Sequence, residues 1–147
     1  MEDRVRQLVE KCDNLAVSLE DIGDKTSNPK VKILARTLDE ATGKLLDNNK
    51  SPSPRTGELD NRGSQFYLAM YWAEALAAQT DDKELQAYFS PLAKALTENE
   101  KKIAEELKAV QGKPVDIGGY YYADSEKCKA VMRPSPTFNA ALKAARA

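Results

Sequence analysis

Residues 57–65 read GELDNRGSQ, and one of them, Arg62, has the type and position for recognition chemistry. It stands between Asn61 and Gly63, just ahead of the most apolar run in the chain. An arginine at a helix entrance can reach an anion, helped by the backbone N–H groups of Gly63 and Ser64 and by the helix dipole. Its planar fork suits bidentate phosphate binding. The competing account is structural: Asp60 and Asn61 form a turn, and Arg62 pairs with Asp60 or Glu58. The string is far less specific than a phosphate-binding glycine loop. On composition alone, the turn with its ion pair is the expected role.

Other candidates have equally plain alternatives. Phe66, Tyr67, Tyr71 and Trp72 could stack on a base or a nicotinamide, but at helical spacing they are expected in the core. Tyr120, Tyr121 and Tyr122 follow Gly118-Gly119 and could line a groove. Packing is their expected role, with alternation burying Tyr121 or its two neighbours. Glu105-Glu106 and Asp81-Asp82 read as solvated helix surface. Arg133, in the turn MRPSP, could meet an anion at the next helix start, although capping by Ser135 explains the local sequence. The chain has no histidine, which removes Ser-His and Cys-His catalysis and His-ligated metals. No catalytic residue and no metal ligand is assigned.

The elements that must position these residues are helices. Val5, Leu8, Val9, Cys12, Leu15, Ala16, Leu19 and Ile22 form one stripe over 4–22, which Gly23 ends. Asn28-Pro29 is a cap followed by proline at the first helical position, and the second helix runs to Asp47. Residues 48–63 are a long loop rich in Pro, Gly and Asn, of the length that is often functional. Ser64 is the expected cap of a core helix over 64–79. Residues 81–89 give a short helix, and Ser90-Pro91 restarts a longer one ending at Gly112. Residues 112–147 form a C-terminal extension with a last helix capped by Ser135-Pro136. The expectation is a mainly α chain, one domain over 1–147 with about six helices and at most a short β-hairpin near 114–122.

Totals narrow the function classes. The 147 residues are 41% hydrophobic and 31% charged with net charge -1, which gives no broad electrostatic case for nucleic acid or an anionic membrane. The run Phe66 to Ala73 is too short to cross a bilayer, and the charged N-terminus is not a signal peptide. Cys12 and Cys128 have neither metal nor disulfide-framework spacing, as expected in a reducing cytoplasm.

Longer blocks carry more information than any of these motifs. NNKSPSPRTGELDNRGSQFYLAMYWAEALAAQ, the upstream LAVSLEDIGDKTSNPKVKILARTLDEATGKLLDNNKSPS, and the downstream FSPLAKALTENEKKIAEELKAVQGKPVDIGGYY and MRPSPTFNAAL together resemble the C-terminal part of monomeric-type NADP-dependent isocitrate dehydrogenases. The resemblance covers nearly the whole chain from Leu15. It implies oxidative decarboxylation of isocitrate to 2-oxoglutarate by a much longer chain, with NADP and with magnesium or manganese. It implies that the metal ligands and most substrate contacts lie upstream, and that Arg62 contributes to the NADP site. The chain departs from the family pattern at Gln65, where His is usual, at Pro54-Arg55-Thr56, where basic residues are common, and at Tyr122, where Arg is common. Each departure removes a cation near the loop ends. MEDRVRQLVEKCDN departs most, and its methionine is expected of a free-standing segment or a shortened descendant. Two classes follow: part of a dehydrogenase completed by upstream domains in trans, or a helical binding protein, self-associating, that kept the fold without the chemistry.

Overall fold

A computed structural model describes residues 2–146, with side chains from residue 10 onward. Val5, Leu8 and Val9 of the first stripe therefore lie outside the described side chains. The described residues form seven helices and no strand: α1 (Glu2–Thr26), α2 (Pro29–Asp47), α3 (Asn61–Ala78), α4 (Lys83–Glu98), α5 (Glu100–Lys108), α6 (Ser125–Met132) and α7 (Pro136–Ala144). The chain is mainly α, as its periodicity requires.

α1 and α2 form the expected pair, but α1 runs three residues past Gly23. A glycine inside a helix costs only about 1 kcal/mol relative to alanine, and here it admits a neighbour. A Cβ at Gly23 would come within 2.8 Å of Lys32 Cγ on α2. The helix is closed instead by Ser27, at φ +51°, with the Asn28 N–H donating to the Gly23 carbonyl at 3.0 Å. Asn28 then caps α2 through its side chain, with Pro29 at the first helical position. α2 ends in a Schellman turn in which Asn49 takes the left-handed conformation and the Lys50 N–H donates to Leu45 O at 2.9 Å.

α3 is the central helix, packed against α2, α4 and α5. Its Phe66, Tyr67, Met70, Tyr71 and Ala73 join Ala41 and Leu45 of α2, Ala93 and Leu96 of α4, and Ile103 and Leu107 of α5 in one core. The aromatic run is thus packing. Phe66 is fully buried and meets Phe138 of α7 edge-on at 5.2 Å. Trp72 donates its indole N–H to Thr37 Oγ1 at 3.1 Å.

Two further boundaries and one burial pattern differ from the sequence pattern. α3 begins at Asn61, because Asp60 rather than Ser64 is its cap. The Asp60 carboxylate accepts the Gly63 N–H at 3.0 Å, and the buried Ser64 hydroxyl donates back to Lys50 O at 2.7 Å. Pro91 does not restart a helix. α4 passes through it, since one missing N–H does not outweigh the buried Ala93 and Leu96 on the following turn. The break lies at Asn99, whose side chain donates to Ala95 O at 2.8 Å and ends α4. The third difference is Tyr120–Tyr122, 88–95% exposed rather than packed. Gly118 and Gly119 both have positive φ and fold the chain so that the Asp124 N–H returns to Ile117 O at 2.7 Å. That small loop leaves the three rings outside.

Glu106 departs from its expected role as free surface charge. It accepts from the Ser135 hydroxyl at 2.6 Å, the Thr137 hydroxyl at 2.8 Å and the Thr137 N–H at 3.3 Å. It therefore clamps the start of α7 onto α5. Desolvation would raise its pKa, but these donors outweigh it and hold the carboxyl below its ordinary value. Glu106→Ala is expected to loosen α7 and destabilise the protein by roughly 1–2 kcal/mol, measured as a lower urea midpoint with unchanged slope.

Candidate functional site

Arg62 lies in the first turn of α3, held there by the residue that starts the helix. The two oxygens of Asp60 divide the work: Oδ1 caps α3 at Gly63, and Oδ2 accepts from Arg62 Nε at 2.9 Å and from Nη2 at 2.6 Å. Arg62 Nη1 donates to the Val131 carbonyl in α6 at 2.9 Å. The ion pair anticipated for Arg62 is thus formed, with Asp60 as partner. Glu58 instead meets Ser53 and Arg55.

This pair is firmer than an ordinary surface bridge. Its side chains are only 19% and 22% exposed, so solvent and salt screen it less. Gly63 contributes room: a Cβ there would come within 2.5 Å of Leu59 Cδ1, the residue preceding the cap. The loop behind is also tied down. Gln111 accepts the Gly57 N–H at 2.8 Å and donates to Glu58 O at 3.0 Å.

A guanidinium carries five N–H groups, and three of those on Arg62 are engaged by Asp60 and Val131. The other two are not engaged by these partners. Arg62 lines two clefts. The smaller, about 300 Å³, is bounded by Ser53–Thr56, Gln111–Lys113, Val115 and Val131. The larger, about 680 Å³, lies between α3, α6 and α7. Gln65 and Arg133 line the larger cleft with Arg62, so two sites weighed separately in the sequence belong to one place. Lys143 and Arg146 join them. Their spacing from Asn139 (i, i+4, i+7) was the sequence signal for a shared helix face.

Burial favours the neutral form of Asp60. The Gly63 N–H and the Arg62 guanidinium outweigh that effect and hold its pKa below the ordinary carboxylate value. Tyr67, nearby on α3, is pushed up to about 12 by burial and by donation to Glu100, so it stays neutral and packed. Burial also raises the Cys12 thiol. Among the described residues no three His, Cys, Asp or Glu side chains converge to hold a metal ion, and the residues present do not fit a divalent cation. No helix among them is long and apolar enough to cross a membrane.

The Asp60 pKa gives a signed prediction. A carboxyl with a folded-state pKa below its unfolded value contributes stability above about pH 4, which is lost as pH falls through the folded value. Asp60→Asn keeps a capping oxygen and removes the charge. Urea unfolding between about pH 6 and pH 3 should show a shallower acid loss in the variant than in the parent.

Comparison with known proteins places these features in a family. The family model for monomeric isocitrate dehydrogenase matches residues 8–143. The chain is 65% identical over 128 residues to an Azotobacter vinelandii protein named isocitrate dehydrogenase [NADP], covering 87% of this chain and 17% of that one. It is 66% identical over 130 residues to isocitrate dehydrogenase [NADP] 2 of Mycobacterium tuberculosis, covering 88% and 17%. The protein of the same name from Colwellia maris is 62% identical over 130 residues, covering 88% and 18%. The chain thus spans about one-sixth of the length of these relatives.

Proposed function

This chain belongs to the monomeric isocitrate dehydrogenase family, and we propose that it is the C-terminal, NADP-contacting part of such an enzyme. In this reading Arg62 supplies a cation to the phosphate-bearing end of NADP. The observation that carries it is the partly committed guanidinium: Asp60 and Val131 fix its position, two of its N–H groups are not used by them, and Arg62 lines the cleft. A preorganised arginine gives up little side-chain entropy when it meets a phosphate, and its fork offers paired donors.

The same reading assigns the chemistry elsewhere. Hydride transfer and decarboxylation of isocitrate need a bound substrate, a general acid–base pair and, in the family, magnesium or manganese. The described residues offer no converging metal ligands, and the chain has no histidine. Upstream dehydrogenase domains, supplied in the same chain or in trans, would complete the site. Soluble, cytoplasmic residence accords with this role.

Two outcomes test the proposal. The purified 147-residue chain should give no isocitrate-dependent NADP reduction with magnesium or manganese present, and measurable turnover would overturn its dependence on other domains. Calorimetric titration should show weak NADP binding, weakened further in Arg62→Ala by roughly 1–3 kcal/mol. Equal affinity in a variant with a native circular dichroism spectrum removes Arg62 from the site.

A further inference from the structure

We propose that residues 113–132, α6 and the glycine loop before it, form a strap that detaches from the body of the fold as one unit. The Arg62 guanidinium is its latch. Every residue from Gly112 to Lys127 is exposed, and α6 has no buried side chain. Only Cys128 and Val131 are half-buried there, and α6 packs extensively against no other helix. The loop closes on itself rather than on the body: the Asp124 N–H returns to Ile117 O at 2.7 Å, and Lys127 pairs with Asp116 at 2.6 Å.

One contact closes the strap. Among the described residues, a single hydrogen bond and no ion pair joins residues 113–132 to the chain before Gly112 or after Arg133. In that bond Arg62 Nη1 donates to Val131 O at 2.9 Å. The acceptor is in the last turn of α6, where helix carbonyls have no partner within the helix, and a cation there is also favoured by the helix dipole. The eight residues of α6 are fewer than the about 12–15 that an isolated helix needs to hold in water. With no buried side chain to add packing, α6 depends on its Asp124 cap and on Arg62. Asp60 in turn holds Arg62 in place through Nε and Nη2, so the latch belongs to the entrance of α3.

Both ends of the strap are anchored, so its opening is local rather than the start of unfolding. Gln111 is bonded to the backbone of Gly57 and Glu58, and Gly112 beside it turns the chain at φ +72°. At the other end Ser135 is buried and donates to Glu106 at 2.6 Å, while Asn139 holds the Arg133 carbonyl. The strap is also a wall. Lys129 and Met132 line the cleft between α3, α6 and α7, and Val115 and Val131 line the smaller cleft. Detachment therefore takes one wall from each cleft. The strap rests on contacts within this chain and does not depend on the NADP reading of Arg62.

Amide hydrogen exchange of the whole chain in low urea tests the strap. The α6 amides should share one opening equilibrium, at least about a hundredfold more populated than global unfolding. That opening should be nearly independent of urea, because it exposes little new surface. The α3 amides should exchange only through urea-sensitive global unfolding. Arg62→Gln should raise α6 exchange about tenfold or more, by a larger factor than it raises exchange in α2 and α4. Parent α6 amides that exchange together with those of α3, or that show no protection, overturn the strap. Unchanged α6 exchange in Arg62→Gln with a native circular dichroism spectrum, or equal acceleration in every helix, overturns the latch.

Discussion

A helix buried on most of its circumference must satisfy its end groups within the fold, and α3 is such a helix. Phe66, Tyr67, Met70, Tyr71, Ala73 and Leu76 are buried, and only a narrow strip that includes Gln65 and Glu74 reaches solvent. Its first-turn N–H groups must be satisfied locally, and Asp60 does so with one carboxylate oxygen while the other holds Arg62. At the far end, the buried Gln79 exchanges hydrogen bonds with the backbone of Asp82, and Asp82 caps α4. The abrupt change from Asp60-Asn61-Arg62 to an uncharged run is therefore what one central helix requires.

From that core the remaining elements attach by different means. α2, α4 and α5 contribute apolar faces directly. α7 is smaller and relies on Phe138 against Phe66 and on the Glu106 clamp at its start. α6 has no buried residue, and the Arg62 bond to Val131 O ties it to α3. One ion-paired arginine thus joins the helix entrance, the loop before it and α6. These contacts hold the Arg62 side chain in one position and fix the placement of its remaining donors.

Family membership and the surface agree in character. The chain matches about one-sixth of its relatives' length, and it carries apolar groups that its own core does not use. Leu15, Val17 and Ile22 on α1, Val115 and Ile117, and the three tyrosines of the 118–124 loop are all exposed.

The sequence by itself determined the helices and the core. Apolar spacing located α2, α3 and the α4–α5 face, and Asn28-Pro29 and Ser135-Pro136 marked two helix starts, because caps and amphipathic stripes are local properties. The long matched blocks identified the family without any structure. Local rules failed where a distant neighbour decided. Gly23 lies inside α1 where Lys32 leaves no room for a side chain, and Pro91 is carried through by core burial on the next turn. Tyr120–Tyr122 are exposed because a glycine turn closes on Asp124. Glu106 became a clamp only once α7 lay across α5. Arg62, Gln65, Arg133, Lys143 and Arg146 are up to 84 residues apart in sequence. Only the packing of α6 and α7 beside α3 gathers them around one cleft, since charge convergence over such separations is a property of tertiary structure alone.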